Sequence, residues 1–125
     1  LSGSQHPGVA AAQKAAVEVL MTEPQHVKRL WSNTDYFRSE LESLGFDTGM
    51  SETPIIPVMC GESSLAQELS SALREQGVMV GAIVFPMVAR DKARVRTQIS
   101  AGLSREDLDE VLSKFDACGR ELGLI

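Results

Sequence analysis

The chain has 125 residues, 43% of them hydrophobic and 23% charged, and carries a formal net charge of −5. That length suits one domain with a core of its own, so no disulfide or metal staple is required. The acidic balance offers no basic stripe for nucleic-acid phosphates, and no apolar run approaches the ~20 residues that cross a bilayer.

Pro7 stands where the first turn of a helix accepts it, and Val9, Ala12, Ala16, Val17 and Leu20 then recur at helical spacing. This small, alanine-rich face predicts a helix lying close against another element. Thr22 and Gln25 predict a capping box with Pro24 in the first turn of the next helix. Its stripe is Val27, Leu30, Trp31, Thr34, Phe37, Leu41 and Leu44, and Gly45 is its stop. Residues 46–54 carry turn chemistry. Ile55, Ile56, Val58 and Met59 read as a strand. Pro57 cannot donate to a ladder, which makes that strand an edge or places a bulge in it. Ser64 and Gln67 predict another capping box, before a helix lined by Leu65, Leu69 and Leu73 and ended by Gly77. A second strand is expected over Val78–Val84, then a loop from Phe85 through Asp91, then a third strand over Ala93–Ile99. Ser104 and Asp107 cap a last helix with the stripe Leu108, Val111, Leu112, Phe115, Cys118 and Leu122. The order predicts an α+β domain: a small, mainly antiparallel three-stranded sheet covered by helices, the last two strands antiparallel. Residues 1–50 supply leading helices, one of them long, and 51–125 an α/β sandwich within the same single domain.

The third strand holds the most informative pattern. Arg94, Arg96 and Gln98 alternate with Ala93, Val95, Thr97 and Ile99, so one face can pack while the other presents cationic donors. A guanidinium held by a strand can grip a carboxylate through two parallel hydrogen bonds. A solvated outer face with loose ion pairs is the competing explanation. Phe85 and Pro86, at the start of the preceding loop, are candidate lining residues for the mouth of such a site, together with Arg94.

Other constellations carry less. His6 and His26 have no partner that would make either a catalytic base. Neither a GxSxG elbow nor a glycine-rich phosphate loop is present, and the acidic residues 106–110 fit the positive end of a helix. Cys60 and Cys118 match no metal spacing and read as buried free thiols. With no secretory leader in view, they predict a cytoplasmic location. The opening Leu1-Ser-Gly-Ser, without an initiator methionine, reads as the start of a fragment.

Taken together, Thr53-Pro-Ile-Ile-Pro-Val58, Phe85-Pro-x-Val88, Lys92-Ala-Arg-Val-Arg-Thr-Gln-Ile-Ser-Ala101 and Gly119-Arg-Glu-Leu-Gly-Leu-Ile125 resemble the C-terminal small domain of the α-oxoamine synthases, and Pro7-x-Val-Ala-Ala11 fits the same pattern. These are pyridoxal-phosphate (PLP) enzymes of the aspartate-aminotransferase fold type. Glycine C-acetyltransferase, also called 2-amino-3-ketobutyrate coenzyme A ligase, looks nearest. The resemblance implies that Arg96 binds the α-carboxylate of an amino-acid substrate. It implies a parent enzyme that condenses glycine or another amino acid with an acyl-CoA, works as a homodimer, and holds PLP on a lysine outside this chain. Lys14, Lys28, Lys92 and Lys114 match no such lysine loop. No catalytic residue, no metal site and no cofactor bound by the fragment alone are then expected. Its partner would be the upstream large domain of the same protein. Where relatives often carry histidine, this chain has Leu103. Two alternatives stay open: a domain of a PLP aminotransferase, and a stand-alone ferredoxin-like module binding a small acid or another protein.

Overall fold

The computed structural model describes residues 3–125. Leu1 and Ser2 of the opening stretch lie outside the described residues. The elements run α1 (Pro7–Thr22), α2 (Gln25–Leu44), β1 (Ile55–Gly61), α3 (Ser63–Glu75), β2 (Gly81–Ile83), β3 (Ala93–Gln98) and α4 (Arg105–Glu121). The architecture is α+β, as the sequence predicts. The sheet has the order β1-β3-β2 and both of its pairings are antiparallel.

Alternation along β3 decides which way the sheet faces. Ala93, Val95 and Thr97 are buried, while Arg96 and Gln98 are exposed and Arg94 is half-buried. The buried face meets α3, and α2 and α4 close the other side of the core. Phe115 sits at its centre and receives Phe37 and Phe46 edge-on, at centroid distances of 6.2 and 5.9 Å. Each fully buried Leu or Phe here contributes on the order of 1.5–3 kcal/mol by removal from water. Thr97 is the polar member of the inner face. Its Oγ1 donates to the Ile56 carbonyl at 2.7 Å, which satisfies the hydroxyl and pins β3 to β1.

As expected for Pro57, β1 lies at an edge of the sheet. The Ile99 amide donates to the Pro54 carbonyl, and that alternation turns the Pro57 nitrogen to the unpaired outer side, where no donor is needed. The bulge falls later, between Met59 and Gly61. The rest of the outer edge is occupied by the preceding loop. Ser51 Oγ donates to the Ile55 carbonyl, and the Met59 amide donates to the Asp47 carbonyl.

Four expectations are corrected. The Thr22–Gln25 capping box does not form: Thr22 donates back to the Glu18 carbonyl, and Gln25 turns to Glu23. α3 begins at Ser63 with Glu62 as its cap, so Ser64 already lies inside the helix. The second strand is three residues, not seven. The Val78 amide closes the end of α3 on the Leu73 carbonyl, and Ser70 Oγ holds the Val80 carbonyl, so those residues are drawn off the sheet. Finally, α1 contains no buried residue, and Val17, Leu20 and Met21 are exposed. Its apolar face is uncovered within this chain. The Ser104–Asp107 capping box does form, in both directions.

Candidate functional site

Each β3 arginine is flanked by the residues paired with it across the sheet. Arg96 lies between Pro57 on β1 and Gly81 on β2, whereas Arg94 lies between Met59 and Ile83. Directly paired residues point to the same face, with Cβ atoms about 4.5–5.5 Å apart. The guanidinium of Arg96 therefore stands beside a proline ring and a residue with no side chain. A Cβ added at Gly81 would meet nothing within 4 Å.

This arrangement leaves an open cleft of about 410 Å³, lined by Ser51, Thr53, Ile55, Pro57, Ile83, Val88, Arg94 and Arg96. Its walls are mostly apolar, and its charges are the two arginines. Among the described residues neither arginine makes a salt bridge. Arg96 makes one long contact to Gln98, at 3.5 Å. Arg94 spends its Nε on the Lys92 carbonyl at 3.1 Å, which fixes its stem and leaves its terminal nitrogens uncommitted. On the helices, by contrast, Lys14, Lys114 and Arg120 each pair with a carboxylate four residues away. The rim at Thr53 is held by α2, where Arg38 Nη2 donates to the Thr53 carbonyl at 3.0 Å.

A second cleft of about 620 Å³ shares the Ser51, Pro57 and Arg94 wall and extends to Asp47, Met50, Met59 and Lys92. The end of β3 is clamped from α2: Asn33 Nδ2 donates to the Ser100 and Leu103 carbonyls at 3.1 and 3.0 Å. Leu103 itself packs against the core and lines a separate cavity near α4.

Of the candidate residues, Arg94 and Arg96 come together. Phe85 and Pro86 lie outside the lining of both clefts, and Phe85 instead carries the Arg90 guanidinium over its ring at 4.4 Å. Ile83 and Val88 take the lining position. The Thr53–Pro57 rim lies in a segment already singled out in the sequence, but neither Ser51 nor Ile83 gave a signal. No group of His, Cys, Asp or Glu among the described residues could hold a metal, and no helix among them is long and apolar enough to cross a membrane.

A family model described as aminotransferase class I and II matches residues 2–115. This chain belongs to that family. Its curated relatives include an 8-amino-7-oxononanoate synthase of Symbiobacterium thermophilum, 54% identical over 99% of this chain and 32% of that protein. Another relative, from Thermus thermophilus, is named 8-amino-7-oxononanoate synthase/2-amino-3-ketobutyrate coenzyme A ligase and is 46% identical over 99% of this chain. A serine palmitoyltransferase structure from S. paucimobilis, with a bound PLP–myriocin aldimine, superposes with a TM-score of 0.91 at 30% identity and covers all of this chain. These relatives are α-oxoamine synthases, as the sequence resemblance implies, and several of the serine palmitoyltransferase structures hold PLP. It spans about a third of the length of the relatives it matches. The relatives shift the emphasis from glycine C-acetyltransferase, which the sequence suggests, to 8-amino-7-oxononanoate synthase. The ligase name persists in one of them.

Proposed function

We propose that this chain is the substrate-carboxylate-binding small domain of a PLP-dependent acyltransferase that joins a small amino acid to an acyl-CoA. One observation carries the reading. Arg96 is an exposed guanidinium with no carboxylate partner among the described residues, fixed by a central strand and flanked by Pro57 and Gly81. A planar fork held that way matches the two oxygens of a carboxylate and orients what is attached to it. Thr97, anchored on Ile56, and Asn33, anchored on the turn after β3, fix the strand from which the fork projects.

PLP needs a lysine for its aldehyde and a partner for its ring nitrogen, and when bound it supplies an electron sink. The lining around Arg96 has no lysine, carboxylate or aromatic ring. The residues present fit the acid group of a substrate and not the cofactor. We assign PLP, its lysine and the reacting centre to an upstream large domain of the same protein, and expect the isolated chain to be inactive. A homodimeric, cytoplasmic parent is part of the same proposal.

The relatives' names support a small amino acid. In 8-amino-7-oxononanoate the bond between the ketone and the amine-bearing carbon divides a seven-carbon acid from a two-carbon amine unit. In 2-amino-3-ketobutyrate the same division leaves an acetyl group and glycine. We therefore take the amino acid's side chain to be methyl or hydrogen. Both products contain a ketone carbon bonded to an amine-bearing carbon, which favours acyl transfer over amino transfer, and the family match over most of the chain favours an enzyme domain over a stand-alone module.

The test is steady-state kinetics of the full-length protein with Arg96→Lys, which keeps the charge and loses the fork. Losing one of the fork's two charge-assisted hydrogen bonds, about 1.5–3 kcal/mol, predicts a roughly tenfold to hundredfold rise in KM for the amino acid, with little change for acyl-CoA. Gly81→Leu, which places a side chain beside Arg96 in open space, should shift the same constant the same way. Unchanged amino-acid kinetics in both variants would remove the proposal.

A further inference from the structure

A carboxylate offers about four acceptor positions, and the fork of one arginine fills two of them. Besides the two arginines, the side-chain donors in the lining of the Arg96 cleft are the hydroxyls of Ser51 and Thr53. Ser51 Oγ is committed to the Ile55 carbonyl at 2.5 Å. The Thr53 hydroxyl accepts the Ile55 amide at 3.2 Å, but its own proton has only long contacts. These run to Ser51 Oγ at 3.2 Å and to the Ile55 carbonyl at 3.4 Å. Hydroxyl bonds to oxygen settle at about 2.7–2.8 Å, so that proton is open to a better acceptor. We propose that Arg38 is a positioning residue: it holds Thr53 so that the Thr53 hydroxyl donates to the substrate carboxylate beside Arg96. The assignment rests on the carboxylate-binding role proposed above and adds to that same site.

The rim has one hydrogen bond to the body of the fold. Among the described residues, the others made by residues 49–53 stay within 47–55. The exception is Arg38 Nη2, which reaches from α2 to the Thr53 carbonyl at 3.0 Å. Core stability does not explain an arginine at that place. Arg38 is half-buried and makes no salt bridge among the described residues. Its Nε is the one buried side-chain nitrogen or oxygen among them that has no partner. An orphaned donor is destabilising, and an uncharged side chain of similar length would remove it. What the guanidinium adds is a charge-assisted bond to the Thr53 carbonyl, which sets where the rim stands relative to Arg96.

The experiment is steady-state kinetics of the full-length protein with Thr53→Val, Arg38→Met and the two combined, each alongside urea unfolding. Thr53→Val keeps the shape and deletes the hydroxyl. It should raise KM for the amino acid about tenfold, the increment of one hydrogen bond to a charged acceptor. Arg38→Met should raise the same constant by about threefold to tenfold, and Arg38→Lys, which retains a donor, should recover part of the loss. The combined variant should do no worse than Thr53→Val alone, because Arg38 acts through Thr53. In all of them kcat and the KM for acyl-CoA should stay within about twofold of the unmodified protein. An amino-acid KM untouched by Thr53→Val overturns the inference, as do effects that multiply in the combined variant. So does an Arg38→Met protein with a lower urea midpoint and an unchanged amino-acid KM, since the arginine would then serve the fold alone. Where Arg38→Met does not fold, Arg38→Lys and Thr53→Val make the same comparison. Arg96→Lys separates the two assignments. If it raises the amino-acid KM while the Thr53 and Arg38 variants do not, only the role of Arg38 and Thr53 falls; if it has no effect, the carboxylate site itself falls.

Discussion

Gly119 lies inside α4, where helix propensity alone favours alanine by about 1 kcal/mol. The structure predicts the opposite sign. A Cβ at Gly119 would stand 2.4 Å from Phe46 Cζ, 2.8 Å from Phe46 Cε1 and 3.2 Å from Ile125 Cγ1. Carbon atoms rest at about 3.5–4.0 Å, so the ring or the helix must retreat by roughly 1 Å. Phe46 has little room to do so, being itself buried and braced edge-on against the fully buried Phe115. Overpacking of a filled core costs about 1–3 kcal/mol, and a braced aromatic belongs in the upper half of that range. After the propensity gain, Gly119→Ala should destabilise by about 1–2 kcal/mol. For a chain of this size that lowers Tm by roughly 3–10 °C, measurable by calorimetry or as a lower urea midpoint at unchanged slope. Phe46→Leu removes the obstructing ring edge, so the double variant should lose less than the two single losses added, with a coupling of about 0.5–3 kcal/mol. A Gly119→Ala protein as stable as the parent, or more so, refutes the packing argument.

Thr97→Val keeps shape and deletes the bond to the Ile56 carbonyl, and should cost about 1 kcal/mol in urea unfolding. The Asp107 carboxylate accepts the Ser104 amide in the cap of α4, and that bond, helped by the nearby Ser104 hydroxyl, holds its carboxyl below the ordinary aspartate value. A depressed pKa stabilises the fold above about pH 3.9 and loses that contribution as pH falls through the lower folded value. The stability gap between wild type and Asp107→Asn should therefore narrow on acidification, and a gap that widens contradicts the cap. Burial pushes the thiols of Cys60 and Cys118 up, so both should react slowly with Ellman's reagent at pH 8 and rapidly in urea. The uncovered α1 predicts concentration-dependent self-association of the isolated chain by light scattering, reduced by Leu20→Glu, and a clean monomer at high concentration counts against it.

Period-two alternation made β3 readable because both of its faces are chemically distinct, and the Ser104–Asp107 box was readable because both partners are local. The short β2 was not, since the residues before it are diverted by Ser70 and Leu73, contacts that no pattern within 78–84 announces. Thr22 failed as a cap for a related reason: α1 runs through it, and its hydroxyl found a nearer acceptor at Glu18. In the site, residue type singled out Arg94 and Arg96, but their difference came only from cross-strand pairing. Gly81 and Pro57 clear the space around one, while Ile83 and Met59 crowd the other. Phe85 was a candidate for the cleft from its place at the start of the loop before β3, and its ring is engaged by Arg90 instead.

The free side of β1 has a consequence for solution behaviour. A strand edge with spare donors and acceptors is a template on which a foreign chain can add, the first step toward cross-β growth. Here Pro57 has no donor to offer, and Ser51 and Asp47 have claimed the groups on either side of it. Strand addition at this edge is therefore blocked, and clumping through the greasy surface of α1 should leave amyloid dyes dark.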